Sequence, residues 1–325
     1  MAPSAVETAP VEQPPSVNKV VAKDDYKQIG SRYQNYLPTW DPEEKYPPLQ
    51  PFEHTDPGLQ ADPNFPALLG EGVQISHLTP SIGSEVRGIQ ISTLTDAGKS
   101  QLARLVAERK VVAFRDQDFA QLPIPDALKF GEFFGRHHIH PASGAPQGHP
   151  EIHLSVSSVG WHSDVSYEEQ PPGTTFLYSL DLPSTGGDTL FANAVEAYNR
   201  LSPLFQERLH GLKAVHSAVE QAQASVNRGG VLRREPVLNE HPIVRTHPTN
   251  REIAVTRYIV GLKKEESEAI LKFLYDHLWE KDTVVVWDNR VTQHSGLADW
   301  KTGERRHLAR ITPQAERPFE TPFKA

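Results

Sequence analysis

The sequence contains no cysteine and only 1 methionine. Without cysteine the chain cannot form disulfides, thiolate nucleophiles, iron–sulfur clusters or cysteine-ligated zinc sites, so a bound metal would need histidine and carboxylate ligands. The sequence also lacks an uninterrupted apolar run of about 18 residues, which a membrane-spanning helix requires. Its N-terminal segment has neither a basic n-region nor an apolar h-region. We therefore expect a soluble, cytoplasmic protein without a secretory signal.

Positive charge is also in deficit, because 33 Lys and Arg residues stand against 41 Asp and Glu residues, for a net charge of -8. This balance disfavours non-specific binding to nucleic acid or to an anionic membrane. An anionic ligand would have to be bound by arginine or lysine side chains placed locally. With 325 residues, 38% of them hydrophobic, the chain can bury one large core. The composition leaves homo-oligomerisation open.

Proline is concentrated at the N-terminal end, where 12 of the 28 prolines fall within residues 1–66. Proline removes a backbone donor and restricts the residue before it, which excludes sheet core and long helix in this stretch. We predict a disordered segment over residues 1–25, a proline-rich extended arm over 26–69, and a single domain over 70–325.

Hydrophobic periodicity within the domain predicts short strands accompanied by a few helices. The predicted helices are Thr95–Arg109, Pro125–Phe134, Val195–Arg200, Pro203–Leu209 and Leu262–Leu278. The predicted strands are Lys110–Arg115, Thr174–Leu180, Asp188–Phe191, Ile243–Arg245, Thr283–Trp287 and His307–Thr312, the last two closing the chain. This pattern favours a mostly β (α+β) fold, a β-sandwich or jelly roll covered by helices. No glycine-rich loop follows a strand and opens a helix, which argues against a nucleotide-binding α/β fold.

Two short motifs could together form a metal site. Trp161-His162-Ser163-Asp164 contains a His-x-Asp pair whose side chains would leave the same face of an extended segment. His294 follows about 130 residues later. Taken singly, these residues are more commonly a solvated loop pair and a core histidine. Taken together, they match the 2-His-1-carboxylate set that binds Fe(II) and leaves three positions for a 2-oxoacid and dioxygen.

A basic segment and a glycine turn add candidate anion-binding groups. In a strand, Arg306, Leu308 and Arg310 would share one face, which would place two guanidiniums side by side for carboxylates or other oxyanions. An exposed basic edge strand explains the same pattern about equally well. In Ser184–Phe191, Gly186-Gly187 predicts a turn after which Thr189 opens a strand with its hydroxyl inward. An ordinary hairpin turn is the competing interpretation.

The sequence resembles the taurine dioxygenase family of Fe(II)/2-oxoglutarate-dependent oxygenases, particularly its fungal sulfonate dioxygenase branch. The resemblance extends from about Pro47 to Pro318. It is carried by segments 161–165, 183–190, 241–248, 287–294 and 305–310. The resemblance implies a double-stranded β-helix (jelly-roll) core.

The resemblance also assigns roles to individual residues. It implies that His162, Asp164 and His294 bind Fe(II), and that Thr189 and Arg306 hold the distal carboxylate of 2-oxoglutarate, the cosubstrate used with O2. The substrate contacts it implies are Arg310 on the anionic group, with His140, Ser158 and Val165 lining the pocket. Ser158 stands where taurine-specific members have asparagine, and Ser143 where they have tyrosine. These two departures argue against taurine itself as the substrate.

The implied activity is hydroxylation of a small anionic substrate coupled to the conversion of 2-oxoglutarate and O2 to succinate and CO2. An alkylsulfonate is the expected substrate, and hydroxylation at the carbon bearing sulfur would release an aldehyde and sulfite. One alternative is the same chemistry on an amino acid, an aryloxy acid or a sulfate ester in secondary metabolism. The other is a non-catalytic jelly-roll binding module.

The chain is shorter than the family pattern at three places. They lie between Leu154 and Ser158, within Arg251–Val255, and between Leu278 and Trp279. Two of them fall in expected core strands, whose deletion would be strongly destabilising. We therefore expect the natural protein to have additional residues there.

Overall fold

The computed structural model describes residues 32–39, 41–155, 160–255, 282–300 and 304–323. The strands of this part are β1 (Pro38–Thr39), β2 (Gln74–His77), β3 (Ser84–Arg87), β4 (Val111–Phe114), β5 (Ala145–Pro146), β6 (Ile152–Ser155), β7 (Thr174–Asp181), β8 (Thr189–Asn193), β9 (Lys213–Ser217), β10 (Leu238–Pro242), β11 (Val244–Thr246), β12 (Ile253–Val255), β13 (Val284–Asp288), β14 (Thr292–Gly296) and β15 (His307–Ile311). Its α-helices are α1 (Asp96–Arg109), α2 (Ile124–Glu132), α3 (Ala194–Asn199), α4 (Pro203–Leu209) and α5 (Val219–Asn227).

One large sheet organises this mixed α/β structure. Its strand order is β2-β3-β4-β13-β7-β15-β6, and neighbouring strands are antiparallel except for the parallel β3–β4 pair. The remaining strands form four two-stranded sheets, β1-β5, β9-β10, β11-β12 and β8-β14. The central strands β4, β13 and β15 are buried along their whole length, as expected for strands covered on both faces.

Helices cover the outer face of the large sheet. Helix α1 begins at Asp96 because the Thr95 side chain caps it by accepting a hydrogen bond from the Gly98 backbone N–H. Its Leu102 and Val106 join the main hydrophobic cluster with alternate residues of the sheet. The residues of β15 and β6 that face this cluster are Ala309, Ile311, Ile152 and Leu154.

The β8–β14 pair lies over the inner face of the large sheet. Leu177, Val285 and Trp287 project from that face and pack with Phe191 of β8 in a second hydrophobic cluster. The Trp287 ring lies 5.5 Å from the Phe191 ring and 5.0 Å from the imidazole of His294 on β14. The space between the two sheets is therefore where the predicted metal ligand His294 is held.

The arm residues 33–66 contact the domain at several points. Strand β1 pairs with β5, and the fully buried Tyr36 places its hydroxyl 3.0 Å from that of Tyr178 in β7. Further along, Asp56 is buried and contacts Arg290, which follows β13. No helix within the described residues is long and apolar enough to cross a bilayer.

Most predicted elements occur close to their expected positions, but three interpretations were wrong. The alternative of a basic edge strand fails because β15 lies between β7 and β6 and is buried throughout. The alternative of a hairpin at Gly186-Gly187 fails because β8 pairs with β14 and not with β7. The last two predicted strands are not consecutive, since β14 lies between them. The predicted helix Leu262–Leu278 and the predicted disordered segment fall outside the described residues.

Candidate functional site

His162, Asp164 and His294 converge as predicted. One potential ligand atom from each residue lies within 4.8 Å of the other two. Within the described part of the chain, these three residues form the group of histidine and carboxylate side chains close enough to hold one metal ion. The Asp164 Oδ1 atom is 3.5 Å from His162 Nε2 and 3.6 Å from His294 Nε2. Two imidazoles and one carboxylate at these distances are the residue types of the 2-His-1-carboxylate set, which binds a metal on one face.

The backbone brings the two histidines together through a short bridge. The His162 N–H donates to the His294 carbonyl at 3.0 Å, and the His294 N–H donates back at 2.9 Å. The expectation of an extended His-x-Asp segment was only partly right. His162 occupies this single bridge, whereas Asp164 already lies in a turn.

Asn289 fixes the turn that carries Asp164. Its Oδ1 accepts the Asp164 N–H at 2.7 Å, and its Nδ2 donates to the Asp164 carbonyl at 2.9 Å. Asn289 is buried directly after β13. Asn289 falls within the segment 287–294, but a contact across 125 residues leaves no local signal from which its role could be predicted.

Asn289→Ala is expected to weaken Fe(II) binding by roughly 10- to 100-fold, the usual effect of losing a group that orients a metal ligand. The measurement is anaerobic Fe(II) titration in the presence of 2-oxoglutarate, compared with Asn64→Ala, which removes an exposed asparagine of the arm. Unchanged iron affinity in Asn289→Ala would show that the turn holds Asp164 without this side chain.

The protonation states at this centre suit metal binding. Burial alone would raise the pKa of Asp164, but the Arg310 guanidinium and the two imidazoles outweigh it and hold that pKa well below its ordinary value. Burial, and then the neighbouring His162, lowers the pKa of His294 well below its ordinary value. A carboxylate and a neutral imidazole are the forms that ligate metals.

Buried polar atoms without a hydrogen-bond partner provide an independent test of whether a metal ion fits between these three residues. Asp164 Oδ2 and both ring nitrogens of His294 are buried without a hydrogen-bond partner in the described structure. His162 Nδ1 lies 2.7 Å from the Gly160 carbonyl and donates to it, which turns Nε2 toward Asp164. Buried polar groups are normally paired, so these atoms fit a divalent metal with nitrogen and oxygen ligands.

The two residues predicted to hold 2-oxoglutarate are in contact. Arg306 Nη2 donates to the Thr189 hydroxyl at 3.1 Å, and Arg306 Nε donates to the Gly187 carbonyl at 2.6 Å. The positive φ of Gly187 keeps this turn close to the Arg306 side chain, where an added Cβ would lie 3.0 Å from Arg306 Cδ. Burial, and then the nearby Arg310, lowers the pKa of Arg306 to about 10, so the guanidinium stays charged at neutral pH.

Arg310 contacts the candidate metal ligand Asp164. It is buried, its Nη1 donates to Asp164 Oδ1, and its guanidinium carbon is 5.6 Å from the centre of the Trp287 ring. Its Nε is buried without a partner in the described structure. Arg310 therefore combines a bond to a metal ligand with unused hydrogen-bonding capacity.

The other predicted substrate contacts have different outcomes. His140 is buried, and its burial, followed by the neighbouring His138, lowers its pKa to about 3. Val165 directly follows Asp164 with a φ of 38°, a left-handed conformation that β-branched residues rarely adopt. Ser143 donates its backbone N–H to His140 Nδ1 at 3.0 Å. Ser158 falls outside the described residues.

A buried charge network lies behind the site. Arg290, the residue after Asn289, contacts Asp288 at 2.7 Å, Asp56 of the arm at 2.5 Å and Glu316 at 3.2 Å. Burial would raise the pKa of Asp288, but Arg290 and His247 reverse this and lower it strongly. The network joins the arm, the end of β13 and the C-terminal segment.

Comparison with known proteins identifies the family. The family model described as "Taurine catabolism dioxygenase TauD, TfdA family" matches residues 74–312, well over half of the chain. The chain belongs to this family. The matched span contains the three candidate metal ligands, Thr189 and both arginines of the 306–310 segment.

Individual relatives agree with this membership. The "Alpha-ketoglutarate-dependent sulfonate dioxygenase" of Saccharomyces cerevisiae is 45% identical in an alignment 327 positions long that covers 89% of this chain and 79% of the relative. The "Alpha-ketoglutarate-dependent dioxygenase cnsP" of Penicillium expansum is 40% identical, covering 88% of this chain and 87% of the relative. A solved taurine dioxygenase from Burkholderia xenovorans has a TM-score of 0.61 and 29% identity, covering 76% of this chain and 90% of that one.

The first alignment also bears on chain length. It spans 327 positions while covering 89% of a chain of 325 residues, so the yeast protein has residues with no counterpart here. The expectation of additional residues at three particular places stays a prediction.

Proposed function

We propose that this member of the taurine dioxygenase family is an Fe(II)/2-oxoglutarate-dependent dioxygenase that hydroxylates an alkylsulfonate and so releases an aldehyde and sulfite. The observation that carries the proposal is the convergence of His162, Asp164 and His294 with unpartnered ligand atoms, beside the Thr189–Arg306 pair. Bound Fe(II), with 2-oxoglutarate and O2, would supply the oxidising chemistry that protein side chains lack.

Each group of residues has a separate task in this proposal. His162, Asp164 and His294 hold the metal on one side and leave the other side for the cosubstrate and oxygen. Thr189 and Arg306 bind the distal carboxylate of 2-oxoglutarate, Arg306 through its charge and Thr189 through its hydroxyl. Arg310 and His140 bind the anionic group of the substrate and thereby determine which C–H bond lies nearest the metal.

We further propose that the large sheet and the β8–β14 pair are the two faces of a double-stranded β-helix. In support, Phe191 and His294 of the small pair pack on Leu177 and Trp287 of the large sheet. The metal centre would then lie between the two faces near one end, an arrangement in which strands from both sheets contribute residues.

The proposal is tested by incubating the iron-loaded protein with 2-oxoglutarate, O2 and a panel of alkylsulfonates. We expect substrate-dependent formation of succinate together with sulfite. Succinate formation with amino acids, aryloxy acids or sulfate esters, but without sulfite from any sulfonate, would favour the alternative substrates. A non-catalytic binding module would show no metal-to-ligand charge-transfer band when Fe(II) and 2-oxoglutarate are added anaerobically.

Arg306→Ala is expected to weaken 2-oxoglutarate binding by roughly 10- to 100-fold, because hydrogen bonds to charged groups contribute about 1.5–3 kcal/mol. Thr189→Val, which removes a neutral hydroxyl, is expected to have the smaller effect. Both are measured as the 2-oxoglutarate concentration that half-saturates the anaerobic visible band. If Thr189→Val weakens binding more than Arg306→Ala does, the assignment of the carboxylate to Arg306 is wrong.

A further inference from the structure

A third side chain belongs to the group formed by Arg310 and His140. The register of β6 against β15 places His153 directly opposite Arg310, and Arg310 in turn lies opposite Leu177 of β7. Directly opposed residues of an antiparallel pair point to the same face. His153 therefore projects from the inner face of the sheet, toward the candidate metal centre.

The His153 ring is stacked on His140. The two ring centres are 4.7 Å apart with an interplanar angle of 30°. His140 Nδ1 accepts the backbone N–H groups of Ala142 at 3.1 Å and Ser143 at 3.0 Å. Its proton is therefore on Nε2, which makes Nε2 the one donor of a ring held in a fixed orientation.

His153 has hydrogen-bonding capacity that the described structure does not use. Its side chain stays partly exposed between the buried Arg310 and His140, and no hydrogen bond of its ring is found within the described residues. Burial, and then the neighbouring His140 and Arg310, lowers the pKa of His153 well below its ordinary value. The ring is then a neutral imidazole with one N–H to donate.

We propose that His153 is a substrate-binding residue that completes a three-part anion site with Arg310 and His140. The site would take an anionic group with three terminal oxygens, a sulfonate or sulfate ester, in preference to a carboxylate. This inference rests on the proposed function, because it concerns the same pocket.

The preference follows from the number of donors. The guanidinium of Arg310 and the Nε2–H of His140 are sufficient for the two oxygens of a planar carboxylate. The third oxygen of a sulfonate would then lack a hydrogen bond to the protein beside the buried Arg310 and His140. The N–H of His153 supplies that bond without adding a charge, so its benefit depends on the third oxygen and not on the net charge of the ligand.

The test compares an alkylsulfonate substrate with a carboxylate of the same chain length, used as a competitive inhibitor. His153→Leu is expected to lower kcat/KM for the sulfonate by roughly 10- to 100-fold, the effect of losing one hydrogen bond to a charged group. The inhibition constant of the carboxylate should change less than threefold. His153→Gln, which retains an N–H donor, should recover most of the sulfonate activity.

Two further measurements separate the outcomes. The anaerobic Fe(II)–2-oxoglutarate band should be unchanged in His153→Leu, which shows that the variant folds and loads its metal. His149→Leu, which removes a histidine from the turn before β6, should behave like the wild type. The role of His153 is overturned if His153→Leu weakens the binding of both anions equally. It is also overturned if His153→Leu weakens the binding of neither anion while the wild type releases sulfite. Failure of the wild type to release sulfite from any alkylsulfonate overturns the proposed function itself.

Discussion

His294→Ala is expected to abolish turnover. The substitution removes one of two imidazoles from a three-residue set and leaves Asp164 and His162 to hold the ion alone. Losing an outer group that only orients a ligand typically costs about 10- to 100-fold in metal affinity or activity, and losing the ligand itself should cost more. We expect at least a 1,000-fold fall in kcat/KM, on the order of 4 kcal/mol, and loss of the anaerobic Fe(II)–2-oxoglutarate band.

The matched control for this prediction is His77→Ala, which removes an exposed histidine from the edge strand β2. Its activity and its visible band should equal those of the wild type. Trp287 and Phe191 pack against the His294 imidazole, so its removal changes the packing around these two rings. Circular dichroism therefore checks that His294→Ala is still folded. A folded variant that retains the band and the turnover would show that the metal is not held by this residue.

Arg310→Ala is expected to raise the KM for the anionic substrate by roughly 100-fold or more. The guanidinium is buried, and truncating one partner of a buried, hydrogen-bonded charge pair between protein and ligand costs about 2–5 kcal/mol of binding free energy. The affinity for 2-oxoglutarate should change little, because Thr189 and Arg306 would hold its distal carboxylate. The measurements are the KM for the sulfonate and the half-saturation of the visible band by 2-oxoglutarate.

The contact between Arg310 and Asp164 makes the conservative variant informative. Arg310→Lys keeps the positive charge but loses the planar pair of donors, so it should bind iron normally and the substrate poorly. Arg228→Ala removes an exposed arginine after helix α5 and should be silent. If Arg310→Ala weakens 2-oxoglutarate and substrate binding equally, the two arginines do not have separate tasks.

The parts of the fold that were predictable from sequence are those with local signals. Strands β4 and β13 appear as apolar runs, and Thr95 is a standard capping residue for α1. Strand β14 was missed because its sequence, Thr-Gln-His-Ser-Gly, has no apolar alternation. It becomes a strand by pairing with β8, and the tertiary context overrides its weak intrinsic propensity.

The residues of the candidate site likewise differ in whether the sequence carries a signal for their role. The candidate metal ligands could be proposed from the sequence because their residue types and order match a known chemistry, although their proximity depends on a bridge between His162 and His294. The roles of Asn289 and His153 could not be predicted from the sequence, since they follow from contacts made only after folding. In particular, His153 lies opposite Arg310 because of the β6–β15 register, and a shift of one residue would turn it to the other face.

The contact between Asp56 and Arg290 links the proline-rich arm to the segment that positions Asp164. Arg290 adjoins Asn289, whose amide holds the turn that carries Asp164. Arg290 and Asn289 thus connect an arm residue to the candidate metal ligand Asp164. Loss of the Asp56 carboxylate would remove one counter-charge from Arg290, so Asp56 is expected to tolerate substitution poorly although it lies in the arm and not in the domain.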